Sequence, residues 1–181
     1  MKKVVFLFLF FFAFCTLDVC ASDIFSCRAD INKLGTQMPQ FENTVCKFEQ
    51  NKYISQTGVN LKSGGNFEFI KNKGITFETL YPIHSQVSYN ASDNKNINAV
   101  VKSVINKDFS RLEKNFDFFM KKNNQTDWQL ALKPKAGFAL EGDMDYLLIE
   151  GKTVNLKGVI TKITIALKST VTTINFSQCR Y

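Results

Sequence analysis

Ser63 to Pro82 reads SGGNFEFIKNKGITFETLYP, two alternating runs around one glycine-bearing turn. Phe67 and Phe69 fall on one face, Glu68 and Ile70 on the other, as the two-residue period of a strand requires. Lys71-Asn72-Lys73-Gly74 interrupts the alternation, and a glycine there suits a turn that needs positive φ. Ile75, Phe77 and Thr79 then share a face, with Thr76 and Glu78 opposite, until Tyr81-Pro82 ends the run. The stretch is an antiparallel hairpin with phenylalanines on one side. Either those rings fill a closed core, or they line a cavity for an apolar ligand.

The same period continues on both sides. Phe41 to Ser55 reads as a long strand with Thr44, Cys46, Phe48 and Gln50 on one face and Val45, Lys47, Glu49 and Asn51 on the other. Val59 to Leu61 begins another, which Ser63-Gly64-Gly65 breaks, and Ile83 to Tyr89 follows the hairpin. Further on, Trp128, Leu130 and Leu132 point inward and Gln129, Ala131 and Lys133 outward, with Pro134 as the stop. Strands then follow at Tyr146 to Glu150, Thr153 to Leu156, Gly158 to Leu167 and Thr170 to Gln178. In the last two, Thr161, Ile163, Ile165 and Leu167, then Thr172, Ile174 and Phe176, hold strict alternation.

Helical spacing occurs in two places. Ser22 to Gln37 places Ile24, Cys27, Ile31 and Leu34 on one stripe, with Ser22 or Asp23 as cap and Met38-Pro39 as the end. Between Ile97 and Phe119, Val100, Val101, Val104 and Ile105 form one short helix, and Phe109, Leu112 and Phe116 a second. One N-terminal helix, nine or ten antiparallel strands and a short helical insert make a mainly β (α+β) protein. Its architecture is a sandwich, a barrel or a strongly curved sheet.

The length of 181 residues fits one domain, preceded by a targeting segment. Lys2 and Lys3 precede an apolar run, Val4 to Phe14, that is too short to span a bilayer. Val19-Cys20-Ala21 is a small-residue cleavage site. Residues 1–21 read as a secretory signal peptide and 22–181 as the mature domain, exported and, with no other long apolar run, soluble. Val19 before Cys20 disfavours a lipoprotein signal. The net charge of +7 is spread without a dense block, so nucleic acid is not a partner. Cys27, Cys46 and Cys179 survive cleavage, and an oxidising compartment allows one disulfide among three pairings. A helix over 23–37 reversing near Pro39 would bring Cys27 level with Cys46; Cys179 is a rival partner for either.

Catalytic signatures are missing. His84 is the single histidine, so no site needing two histidines forms, and neither a nucleophile elbow nor a P-loop occurs. Glu141-Gly142-Asp143-Met144-Asp145 lacks the pattern of a calcium loop and reads as a solvated turn. Asn90-Ala91-Ser92 and Asn175-Phe176-Ser177 fit a glycosylation pattern that matters only in a eukaryotic secretory route. The chain is therefore expected to be no enzyme and to need no cofactor or metal. What remains is apolar surface: 18 phenylalanines on a curved sheet with helices to cover it fill a core or enclose a cavity.

Four motifs, in order, resemble one family. Phe48-Glu49-Gln50 is similar to its F-x-Q, and Ser63-Gly64-Gly65-Asn66-Phe67 to its S-G-x-F. Gly74-Ile75-Thr76-Phe77 ending in Tyr81-Pro82 is similar to its next strand, and Trp128 to Lys135 to its late L-x-P-K strand. Together they resemble the periplasmic outer-membrane lipoprotein carrier (LolA) family, in its divergent LolA-like branch, over most of Phe41 to Phe176. The resemblance implies a half-barrel sheet with helices as a lid over an apolar cavity. It implies a periplasmic carrier, expected as a monomer, that takes acylated lipoproteins or other lipids from an inner-membrane release complex to an outer-membrane acceptor. The expected lining is Phe48, Phe67, Phe69, Phe77, Trp128, Leu130 and Leu132, then Ile163, Ile165 and Phe176, with Ile24, Ile31, Leu34, Val101 and Ile105 from the helices. On this basis Leu130→Trp should block the cavity and spare the fold. Lys71 stands where the family's prototype has an arginine that latches the lid, and Phe77 where tryptophan is usual. Lysine lacks the guanidinium's forked donors. The competing reading is a periplasmic lipid or lipoprotein sensor acting with a partner protein.

Overall fold

The computed structural model describes residues 23–71, 73–89, 97–138 and 143–181, with the backbone alone at 98. Residues 1–21, read as a signal peptide, Asn90-Ala91-Ser92 and the first two residues of the acidic run fall outside the described residues.

The opening hairpin forms. Strands β3 (Val59–Ile70) and β4 (Gly74–Tyr81) pair antiparallel with Phe67 opposite Phe77 and Phe69 opposite Ile75. Gly74 has φ 132° at the turn. Val59 to Leu61 is not a separate strand: β3 runs straight through Ser63-Gly64-Gly65. The glycines serve a bulge in the β3–β4 register between Gly64 and Gly65. A Cβ at Gly65 would collide with the Glu78 carbonyl, and one at Gly64 with the Tyr81 ring. Only side-chain-free backbone lets β4 approach this closely.

Around the hairpin, β2 (Thr44–Ile54), β5 (Ser85–Tyr89), β6 (Phe116–Lys122), β7 (Asp127–Pro134), β8 (Met144–Val154), β9 (Lys157–Leu167) and β10 (Thr170–Arg180) complete one antiparallel sheet. Its order is β5-β4-β3-β2-β10-β9-β8-β7-β6. The sheet is curved and unclosed, with β5 and β6 as its edges. Short β1 (Gln40–Phe41) pairs in parallel with β9, its Phe41 opposite Gly158. The long strand read over 41–55 is thus β1, a turn and β2. The two strands read over 146–156 are one, β8, with a bulge between Glu150 and Gly151.

Three short helices, α1 (Ile31–Gln37), α2 (Ile97–Ile105) and α3 (Phe109–Glu113), accompany the sheet. Leu34, Val101, Val104, Ile105 and Phe109 join Phe48, Phe67, Leu130, Leu132, Leu147, Ile149 and Ile163 in one buried cluster. Each such side chain contributes roughly 1.5–3 kcal/mol on burial.

Three expectations change. The helix over 22–37 is broken: a 3-10 turn spans Ile24–Ser26, and α1 starts only at Ile31. Asp23 and Asp30 each accept a hydrogen bond from the N–H two residues on, at 3.1 and 3.0 Å, so each begins a new turn. Between them the backbone pairs with the β6 edge, where Ala29 N–H donates to Phe118 O at 2.8 Å and Met120 N–H to Cys27 O at 3.0 Å. Phe116 belongs to no helix: α3 stops at Glu113, and FDFFMKK forms β6 with Phe116 and Phe118 buried.

The disulfide joins Cys46 to Cys179, with Cα atoms 4.1 Å apart, not Cys27 to Cys46. The helix that would have levelled Cys27 with Cys46 does not form. Strict alternation would place Cys179 on the face opposite Phe176. A bulge reverses this: the β10–β2 register moves from Ser177 opposite Lys47 to Arg180 opposite Val45, with Gln178 at φ 51°. The extra residue turns Cys179 toward Cys46.

A cleft on the open half of the sheet

The residues expected to line one cavity divide into three sets. Trp128, Leu130, Leu132 and Ile163 are 2, 0, 0 and 1% exposed and belong to the packed core. The Trp128 ring meets Phe41 edge to face at 5.8 Å and lies against Gly151, and its Nε1 has no hydrogen-bond partner. Phe67, Phe69 and Phe176 close, with Phe41, Cys46 and Ile105, around a void of about 20 Å³. That is room for little more than one water. Phe67 meets Phe176 at 4.8 Å and Phe77 at 5.0 Å between ring centres, so these rings satisfy one another.

Phe48, 3% exposed and part of the core cluster, also borders open space together with Phe77 and Ile165. With Ile174 on the floor and Val87, Tyr89 and Ile97 at the side, they line a cleft of about 340 Å³. Its position follows from the pleat. Phe48, Gln50 and Lys52 lie on one face of β2, and Thr172 and Ile174 beside them on β10. At its two ends α2 puts Ile105 on the neighbouring void and Ile97 on the side of this cleft. Toward the end of β2 the surface stays apolar: Leu61 pairs with Lys52 and Val59 with Ile54, and Leu61 is 51% exposed. Gln50, Ser63, Thr79, Thr172 and Lys52 form a polar side to the lining. Gln50 donates to Ser63 Oγ at 3.2 Å, Thr79 and Thr172 add hydroxyls, and Lys52 is the one charged lining residue among the described residues. The cleft thus has an apolar floor, a short polar row and a cation.

Of the helical residues expected in the lining, Leu34, Val101 and Ile105 are core and Ile31 packs against it. Ile24 is buried on the 3-10 turn, outside that cluster. His84 lies away from the cleft, 3.5 Å from Glu78 on the outward side of β4. Asn66 donates to Glu78 at 2.6 Å; this bond, then the one from His84, holds the Glu78 carboxyl below its usual range. Among the described residues no cluster of three or more His, Cys, Asp or Glu could hold a metal ion.

Lys71 directly follows β3 at the hairpin turn. It is exposed, its backbone N–H donates to Asn43 Oδ1 at 2.8 Å, and its ammonium reaches no helix among the described residues. Lys107, just beyond α2, makes the tie instead. Its Nζ donates to Gly35 O at 2.9 Å and Met38 O at 2.6 Å, joining α2 to the end of α1. Burial lowers its pKa, and two carbonyl acceptors offset part of that cost. Lys107→Met should keep the stem and lose the tie, costing about 1–2 kcal/mol. Amide exchange should then quicken over residues 34–38 and 104–109; unchanged exchange there would rule the tie out. No periodicity marks Lys107, and its only signal is the polar Asn106-Lys107-Asp108 break between two helical stripes. Lys52 was easier to find. The alternation that puts Phe48 and Gln50 inward reaches Lys52 two residues later.

The fold and cleft define a class of molecule: an unclosed antiparallel sheet with helices across one face and an apolar cleft beside them. Among solved structures the chain is similar to a DUF1329 family protein from Desulfovibrio piger, with TM-score 0.41, 10% identity and coverage of 83% of this chain and 91% of that one. It is also similar to a LolA superfamily protein from Nitrosomonas europaea, with TM-score 0.36, 7% identity and coverage of 83% and 90%. No family model and no curated protein sequence matches the chain.

Proposed function

We propose that this protein is a periplasmic carrier that binds the acyl chain of a lipid, or of a lipoprotein, in the cleft beside Phe48, Phe77 and Ile165 and takes it to the outer membrane. The observation that carries the reading is the cleft itself. Its volume of about 340 Å³ falls at the lower end of the ~300–1,000 Å³ usual for ligand sites. Its floor is aromatic and aliphatic, and each buried CH₂ contributes about 0.8 kcal/mol. Export rests on the signal peptide. The direction of transfer, the inner-membrane donor and the outer-membrane acceptor rest on the motif resemblance. The reading needs no covalent step: binding and release of a monomeric carrier suffice.

Native mass spectrometry of protein purified from the periplasm tests this. A co-purified lipid, released on unfolding, is the expected result. Protein at its bare polypeptide mass from cells rich in free lipid would overturn the reading. Depletion of the protein separates cargoes: mislocalised lipoproteins indicate lipoprotein cargo, and unchanged localisation with a bound lipid indicates a free lipid.

A further inference from the structure

We propose that the cleft selects a single-chain anionic amphiphile, with a carboxylate or phosphate head on Lys52 and the alkyl tail over Phe48 and Phe77. This rests on the lipid-cleft reading and specifies its ligand.

Among the described residues, Lys52 is the one charged residue lining the cleft. It is half-buried, and its cross-strand neighbours are Thr172 and Leu61, neither of them acidic. The ion pairs among the described residues engage Lys33, Lys152, Lys162 and Lys168, and none engages Lys52. An ammonium at the edge of apolar surface without a counter-charge is an unfavourable arrangement. A ligand oxyanion corrects it through a charge-assisted hydrogen bond. Thr172, the cross-strand partner of Lys52, adds a hydroxyl to the same lining that can serve as a further donor.

The polarity gradient fixes the orientation. Along one face of β2 the order is Lys52, Gln50, Phe48, from cation through amide to aromatic. The four-residue separation is about 13 Å at ~3.3 Å per residue. The head therefore sits at the open end and the tail runs inward. The cleft's volume, near the lower limit for ligand sites, suits one chain. The ester- and amide-linked acyl groups of a lipoprotein are uncharged, so they would leave Lys52 unpaired.

Calorimetric titration of the delipidated mature protein, below micelle concentrations, separates the alternatives. The probes are dodecanoate, dodecyl phosphate, 1-dodecanol and dodecyltrimethylammonium. At least one anion should bind tenfold or more tighter than dodecanol, and the better anion identifies the head group. Lys52→Met should weaken anion binding tenfold or more and so abolish that preference. Lys52→Glu should reverse it toward dodecyltrimethylammonium, so the charge is tested in both directions. An anion preference that is absent, or that survives both substitutions, overturns the role of Lys52 while the lipid cleft stands. If no probe binds, the lipid reading falls with it.

Discussion

Replacing Cys46 or Cys179 by serine should cost about 3–5 kcal/mol of stability. The bond spans 133 residues, and closing a loop of that length restricts the unfolded chain by ~5 kcal/mol on the chain-entropy account. Its place in the sheet adds to the expectation. Strands β5-β4-β3-β2 form one half and β10-β9-β8-β7-β6 the other, and the β2–β10 pairing joins them. The disulfide fastens that junction at the bulge, where the ladder loses register. Urea unfolding with and without dithiothreitol measures it. Reduced wild type and Cys46→Ser should unfold at the same lowered denaturant concentration, with melting lower by roughly 6–20 °C. Equal midpoints for oxidised and reduced protein would show that the strand pairing holds the halves unaided.

How far the sequence could be read depended on whether a feature was local. β2 was legible because its side chains alternate without exception, and the β3–β4 hairpin because the alternation is interrupted once, at a residue with φ 132°. Bulges were not legible. Gly64-Gly65 looked like a break, yet it keeps β3 continuous while β4 closes over it. The bulge at Gln178 cost more, because one extra residue exchanges the two faces of a strand end and decides which cysteine meets Cys46. The N-terminal stripe of Ile24, Cys27, Ile31 and Leu34 fitted one helix by spacing. Two aspartate caps and an edge strand needing partners divided it. Phe109, Leu112 and Phe116 fitted a helix equally well, but Phe116, Phe118 and Met120 also alternate, and pairing with β7 decided for the strand.

The same distinction limits the candidate site. Periodicity told which residues face inward, and it could not tell which inward residues a helix covers. Leu130 and Phe48 have equal claims in the pattern. Both are buried, at 0 and 3% exposed, and only the packing around them puts Phe48, not Leu130, at the border of the cleft. A blocking substitution at Leu130 is therefore misplaced. Leu130 is 0% exposed, and a tryptophan there would overpack the core at a cost of about 1–3 kcal/mol or more. Loss of binding in that variant would report damage to the fold.

Thr172→Trp is the informative change, and it should reduce dodecanol and dodecanoate binding at least tenfold with little change in stability. Thr172 is half-buried on β10, opposite Lys52 on one side and Ile165 on the other, and it lines the cleft. An indole there has about 340 Å³ of adjoining space to enter, so no packed neighbour needs to move. Tryptophan is also well suited to a strand. Filling the space removes the surface on which a tail gains its ~0.8 kcal/mol per CH₂, whatever head group it carries. That separates this variant from Lys52→Met, which should lose the preference for the anionic head. The control is the melting temperature, expected to stay close to that of wild type. If Thr172→Trp melts normally and binds both probes as wild type does, the tails lie elsewhere, and the cleft beside Phe48 and Phe77 is not the site.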